Sequence, residues 1–322
     1  MSNYWDFTTD KSKRRLSDLW RPYRDNHKYG FKDHKGNIVL PAQYNINPYG
    51  FRQGLSWVTK NNESFFINEQ GEKMFDANYE WVGCFNDDGL AQILVNGLNG
   101  FINMKGEIVI EPQWPGSNRI LIFREGLCFI WNKDKSIYYC INTKGECVFE
   151  LGNENHVVGH FSNGLAEVMV YNESVGNRWG YVDTKGNMVI PPIYEYSRWF
   201  HDGMAAVGYY NNDLGIRVYG FINTKGEVVI PFRYRDTGWF SEGLAPVSIQ
   251  DENGKYFGDE IWGYINMQGE MVIAPEYDFA EEFIDGLAHV KKKGRGFYID
   301  ENAKYHRSRK SPELVLQQNQ PA

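Results

Sequence analysis

The sequence predicts an all-β protein built from seven copies of one short unit, and three observations carry that prediction. A glycine in a Lys-, Gln- or His-flanked turn recurs at Gly36, Gly71, Gly106, Gly145, Gly186, Gly226 and Gly269, at intervals of 35 to 43 residues. A second glycine, opening a Gly-Leu-Ala-like step, keeps pace at Gly54, Gly89, Gly126, Gly164, Gly203, Gly243 and Gly286. Short runs alternate bulky and polar residues as strands do, and nothing in 29–300 has the apolar spacing of an amphipathic helix. A period of this size marks stacked supersecondary units.

The sixth copy shows the elements in order. Tyr219-Gly220-Phe221-Ile222-Asn223 reads as a strand, Thr224-Lys225-Gly226 as a turn, and Glu227-Val228-Val229-Ile230 as a second strand ended by Pro231. The position three before the turn glycine is Asp33, Asn68, Asn103, Asn142, Asp183, Asn223 or Asn266. Such side chains accept a hydrogen bond from backbone two residues on, so these residues read as turn chemistry. Eight residues after the glycine stands Tyr44, Tyr79, Trp114, Tyr194, Tyr234 or Tyr277, with Asn153 in the fourth copy. Phe51, Phe85, Phe123, Phe161, Phe200, Phe240 and Phe283 then precede the second glycine. Periodic aromatics in a four-strand unit are expected to pack neighbouring units together. Leu244-Ala245-Pro246-Val247 closes the copy as another strand.

Trp179-Gly180-Tyr181, Trp262-Gly263-Tyr264 and Tyr219-Gly220-Phe221 are each followed by a Lys/Gln-Gly turn, a hydrophobic strand with proline and a Phe-x-x-Gly-Leu/Met-Ala step. In this the chain resembles the bacterial WG-containing repeat family across roughly 29–300. Copies two and four depart: Phe65 and Tyr139 replace the first glycine, and both lack the second-strand proline. The resemblance implies a recurring binding or scaffolding module without a single shared chemistry.

Seven units of about 40 residues suit a seven-bladed β-propeller. In that arrangement strands 287–290 and 296–300 join N-terminal strands to complete one blade. The Tyr-Gly-Phe strand at 29–31 has an equivalent at 297–299, which leaves a strand in surplus. An open superhelical β-solenoid accommodates that surplus and stands as the alternative. Around the repeats, 1–28 reads as a basic cap with a short helix over Thr8 to Trp20, and 301–322 as a basic segment leading into a disordered tail.

The net charge is −7, yet residues 1–28 carry +3 and residues 291–322 carry +5, so the body between them carries −15. An acidic body repels phosphate, which makes nucleic acid an unfavourable partner. No apolar stretch follows Arg14-Arg15 as a secretory signal requires, and no run of about 18 apolar residues suggests a membrane span. Cys128 replaces the alanine of Ala91, Ala166 and Ala245. Cys140 falls in the column of Phe101, Tyr181, Phe221 and Tyr264, and Cys147 in that of Ile108, Met188, Val228 and Met271. Three of the four cysteines are therefore expected in the core and reduced, and the expected compartment is the cytoplasm.

Chemistry is sparse. His156 and His160 stand four apart, but Val157 and Gly159 do not fit a zinc-binding helix, so no metal or cofactor is expected. There is no Gly-x-Ser-x-Gly, phosphate-binding glycine loop or Cys-x-x-Cys, and no enzymatic site is named. Binding residues are expected in two places. One hairpin lengthens along the chain, at 171–178, 208–218 and 248–261, and carries Tyr209, Tyr210, Asp213, Tyr256, Phe257 and Asp259. Tyr-rich loops make adaptable contacts at low entropy cost. Trp199 and Trp239 each precede a repeat phenylalanine, so strand alternation turns them away from it. They read either as inter-repeat packing or as an aromatic platform. The expected function is a non-enzymatic scaffold for a protein partner, with inhibition of a basic toxin as one form of it. A carbohydrate-binding protein is the second reading, and a hydrolase with a central-funnel site is the third.

Overall fold

The computed structural model describes residues 17, 20–33, 36–45, 50–115, 121–152, 157–250 and 260–306. Among these residues the named elements are all strands, and they form eight sheets of three or four strands with consecutive strands as neighbours. Among the described residues no helix is long and apolar enough to cross a membrane. The chain divides into two compact units, one running to Glu150 and the other beginning at Leu151. The first unit holds sheets spanning 21–44, 56–76 and 81–115 and nearly all of that spanning 127–152; the second holds sheets spanning 157–194, 196–234, 236–277 and 279–306.

Sheet six shows how the repeat folds. Its strands are Tyr196–Ser197, Met204–Asn211, Ile216–Asn223 and Val228–Tyr234. The entry to its second strand is a two-residue turn, Asp202 at φ 49° and Gly203 at φ 78°, closed by paired backbone bonds between His201 and Met204. Two successive positive φ values match the twist of antiparallel strands. At the third-to-fourth strand turn the Asn223 carboxamide oxygen accepts from the amides of Lys225 and Glu227, both at 3.0 Å. Asn68, Asn103, Asn142, Asp183 and Asn266 repeat this geometry.

The glycine of the Trp-Gly-Tyr step answers a bulge in the fourth strand. A Cβ on Gly180 would lie 2.4 Å from the Ile190 carbonyl oxygen, and one on Gly220 2.6 Å from that of Ile230. The register breaks at these points, between Trp179 and Tyr181 and between Tyr219 and Phe221. Pro191 and Pro231 follow the intruding carbonyls, and proline cannot donate to the ladder. Sheet two has no such proline. There Phe65 pairs with Asp76 and Phe66 with Phe75 without interruption, so a phenylalanine fits where glycine is otherwise needed.

Aromatic pairs join successive sheets within each unit. Phe101 meets Phe123 at 5.0 Å in the first; Tyr181 meets Phe200 at 4.9 Å and Phe221 meets Phe240 at 4.8 Å in the second. All are edge-on, the favoured arrangement of two ring quadrupoles. The second-glycine turns add hydrogen bonds from sheet to sheet: the Gly203 amide donates to Asn163, the Gly243 amide to Asp202 and the Gly286 amide to Glu242.

Two expectations need correction. Cys128 and Cys140 are buried, but Cys147 is exposed. Its whole column faces solvent, with Ile108, Met188, Val228 and Met271 each at least 40% exposed, because these residues begin the outermost strand of their sheets. Among the described residues, strands 287–290 and 296–300 do not join N-terminal strands in one sheet. Ala288–Lys292 and Arg295–Ile299 instead form sheet eight with Phe279–Ala280 and Tyr305–His306. The last turn was hidden because Ala303 takes the turn-glycine place at φ 58°, with Asp300 still accepting from the Asn302 and Lys304 amides. Ahead of residue 29, Arg21–Asp25 pairs with Lys28–Lys32 as a further strand of sheet one. The expected helix over Thr8 to Trp20 falls almost wholly outside the described residues.

Candidate functional site

The lengthened hairpins join the second and third strands of neighbouring sheets in the second unit. Tyr209 and Tyr210 end the second strand of sheet six, at 38% and 45% exposure, and Asp213 lies exposed at the tip. Leu214 beside it is 62% exposed. The equivalent hairpin of sheet five presents Tyr171 and Val175, about half exposed. The two hairpins are braced through Glu195, which pairs with Arg178 at 3.3 Å and accepts from the Tyr210 amide at 2.7 Å. The Tyr209 ring packs against Phe232 at 5.0 Å. Tyr256, Phe257 and Asp259 lie outside the described residues.

Trp199 and Trp239 stand elsewhere on the same sheets. Each follows the short first strand, which forms one edge of its sheet and there continues alongside the second strand through single backbone bonds, Arg198 to Ala206 and Gly238 to Pro246. Phe200 and Phe240 are buried while Trp199 is exposed and Trp239 half-buried, the alternation that strand geometry imposes. Residues 199 and 210 lie at opposite ends of the strand Met204–Asn211, since 198 is level with 206 and the tip follows 211. At about 3.3 Å per residue that is roughly 15 Å. The structure therefore does not bring the two candidate groups together.

Around the tryptophans the first-strand edges of sheets five to eight run side by side. The Trp199 indole N–H donates to Glu167 Oε1 at 2.8 Å, and Ser197 Oγ donates to Glu167 Oε2 at 3.0 Å. His160 meets Trp199 edge-on at 5.6 Å, and His201 stacks on Trp239 at 5.3 Å. Arg198 pairs with Asp236 at 3.2 Å, while the Trp239 amide points at Glu282 Oε1 at 3.4 Å. Burial pushes the Glu167 carboxyl up to about 6, against the pull of Ser197, Trp199 and Arg198. Burial also raises Glu282, and the same Arg198 guanidinium draws it back.

With this geometry in place, sequence comparison settles the family. The model of the WG containing repeat matches residues 29–63, 65–98, 100–134, 179–212, 219–256 and 262–295. The chain belongs to the WG containing repeat family. No curated protein matches it. Among solved structures, the WG repeat chain is similar to one described as a eukaryotic initiation factor, with 11% identity over 89% of this chain and 83% of that one, at a TM-score of 0.63. That likeness shows the fold alone. A β-propeller domain of the Trilobed protease from Pyrococcus furiosus, with an open velcro topology, aligns at 10% identity over 91% and 96% of the two chains, with a TM-score of 0.41. Oligopeptidase B from Trypanosoma brucei aligns at 12% over 91% of this chain and 48% of its own, with a TM-score of 0.47. The WG repeat chain is thus an all-β array of propeller-like sheets.

Sequence reasoning singled out Trp199 and Trp239 and did not name Glu167, Arg198, Asp236, His201 or Glu282, which the structure places around them. The missed residues share a signal: they occupy places in the WG repeat that its frame leaves free. The residue before the repeat phenylalanine is His160, Trp199, Trp239 and Glu282 in sheets five to eight, and the residue after the Gly-Leu-Ala step is Glu167, Ala206, Pro246 and His289. His156 lies outside the described residues, and among those described no group of three or more His, Cys, Asp or Glu is placed to hold a metal. The arrangement offers aromatic faces and half-buried negative charge, a binding chemistry.

Proposed function

We propose that this WG repeat protein is a non-enzymatic cytoplasmic binding scaffold whose later hairpin tips engage a protein partner. One observation carries the reading: Tyr171, Val175, Tyr209, Tyr210 and Leu214 stand exposed on equivalent tips of adjacent sheets. Exposed aromatic and aliphatic residues gathered on braced loops are what a protein interface is made from. The acidic body favours a basic partner, which attraction would steer toward the tips. Carbohydrate binding is the second reading, supported by the exposed Trp199 indole beside Glu167. The test is capture from a lysate of the native host with the full chain, followed by mass spectrometry. A partner retained by the wild type and lost with Tyr210→Ala or Leu214→Ser supports the reading. A partner held equally by all three proteins removes the tips from the interface.

A further inference from the structure

The first-strand edge of the second unit holds more charge and aromatic surface than its frame requires. Among the described residues Glu167, Asp236, Glu281 and Glu282 lie along it, with Arg198 paired to Asp236 and His289 beside Glu281. Two of the carboxylates sit in notches left by glycine. A Cβ on Gly159 would lie 2.5 Å from Glu167 Cγ, and a Cβ on Gly238 would meet Glu282 Oε1. Any larger residue at either place would displace the carboxylate it now admits. The tryptophan side chains follow the same spacing, Trp199 on sheet six and Trp239 on sheet seven.

We propose that this edge is a recognition site for cationic side chains, guanidinium or ammonium, on a basic segment of the protein partner, with Trp199 and Trp239 as the aromatic faces and Glu167 and Glu282 as the counter-charges. The proposal rests on the protein-binding reading above and names the chemistry of its partner. Two features favour a cation over a sugar. Both oxygens of Glu167 already accept hydrogen bonds, from Trp199 and Ser197, so the group offers charge at a distance more than acceptors for hydroxyls. Arg198 pairs with Asp236 and His289 stands by Glu281, so the negative charge of Glu167 and Glu282 is offset only at longer range, and burial makes that charge costly until a cation arrives. An added cation meets indole faces whose quadrupole attracts it.

The test uses the purified full chain at about 0.15 M salt, where exposed charges are screened beyond about 8 Å. Hexa-arginine is the probe, with a neutral hexasaccharide of glucose as the alternative, read by calorimetry and tryptophan fluorescence. Hexa-arginine should bind and change the fluorescence. Glu167→Gln, Glu282→Gln and the pair Trp199→Ala/Trp239→Ala should each weaken it about tenfold, the loss of a desolvated cation–π or charge contact. Trp199→Phe/Trp239→Phe keeps the rings and should weaken binding less, so a folding defect in the alanine pair cannot pass for loss of the site. Glu227→Gln/Glu270→Gln removes the same charge at turns remote from this edge and should change affinity less than about twofold. An equal loss in that control would reduce the binding to bulk charge and overturn the proposal. Failure of the peptide to bind would overturn it too, as would saccharide binding in its place. Any of these results leaves the capture experiment with the hairpin tips standing on its own.

Discussion

The two units are built on one repeat frame and fill the places beside its phenylalanine differently. In the first unit the position before the repeat phenylalanine holds Gly50, Cys84 and Ile122, and the position after the Gly-Leu-Ala step holds Trp57, Gln92 and Phe129. Gln92 stands where the second unit has Glu167. It is buried, donates to Asn99 at 2.8 Å and accepts from the Leu121 amide at 2.8 Å; Asn99 in turn donates to the Pro115 carbonyl. This is a closed, neutral network in which these amide groups answer one another. In the second unit the same place carries a carboxylate whose charge its neighbours compensate incompletely. The frame therefore says where a side chain can be placed, and the departures between units say where it is used.

The largest effects should fall on the shared frame and be alike in both units. Phe123→Ala and Phe200→Ala each remove a buried ring that sits edge-on to an aromatic of the preceding sheet, at 5.0 and 4.9 Å. Each substitution should cost about 3–5 kcal/mol, measured by urea denaturation. A cost well below this in one unit would show that the frames are not equivalent and would undo the comparison.

A smaller effect should separate the units by pH. The folded-state carboxyl of Glu167 sits at about 6, above its ordinary 4.5, so the folded protein holds the proton more tightly than the unfolded chain. The resulting stability is present below pH 4.5 and is lost as pH rises through 6. The shift corresponds to up to about 2 kcal/mol. Glu167→Gln should remove this component, so the stability of the variant relative to wild type should rise between pH 4.5 and 7. Gln92, which does not titrate, contributes nothing comparable in the first unit. A constant difference between variant and wild type across that range would mean Glu167 is not held in a desolvating site.

What the sequence disclosed follows from how local its causes are. Asn223, Gly226 and the Asp202-Gly203 turn act within a few residues, so their spacing announces them. Phe200 and Phe240 recur because every sheet needs a partner ring. Glu167 gives no such sign, because the Ser197 and Trp199 groups that define it come from the next sheet. Cys147 misled for a related reason: an apolar column suggests a core, and only the sheet order shows that the column begins an outermost strand. Thiol labelling of the native protein should separate these cases. Cys147 should react first, and Cys128 and Cys140 only on unfolding, since burial keeps both thiols protonated, Cys140 up to about 12. Equal rates at Cys147 and Cys140 would contradict the sheet order.

The smallest effect on stability should come from the tips, where the units also differ. In the first unit the hairpins that join Arg21–Asp25 to Lys28–Lys32, Ser56–Lys60 to Glu63–Ile67 and Leu90–Val95 to Leu98–Asn103 close through paired residues at positive φ: Asn26 and His27, Asn61 and Asn62, Asn96 and Gly97. Such two-residue turns spend their side chains on the turn itself. In sheet six the tip runs from Asn211 to Ile216, and Leu214 donates its amide to Asn211 while its side chain stays in solvent. Tyr210→Ala should therefore change stability by less than about 0.5 kcal/mol, the usual range for an exposed site. Tyr209→Ala should cost somewhat more, about 0.5–1.5 kcal/mol, because that ring also packs against Phe232. Both should weaken capture of the partner, and only the second should lower the denaturation midpoint. If Tyr210→Ala destabilises the protein as much as Tyr209→Ala, the tip belongs to the core of sheet six and its exposure is not evidence of a binding surface.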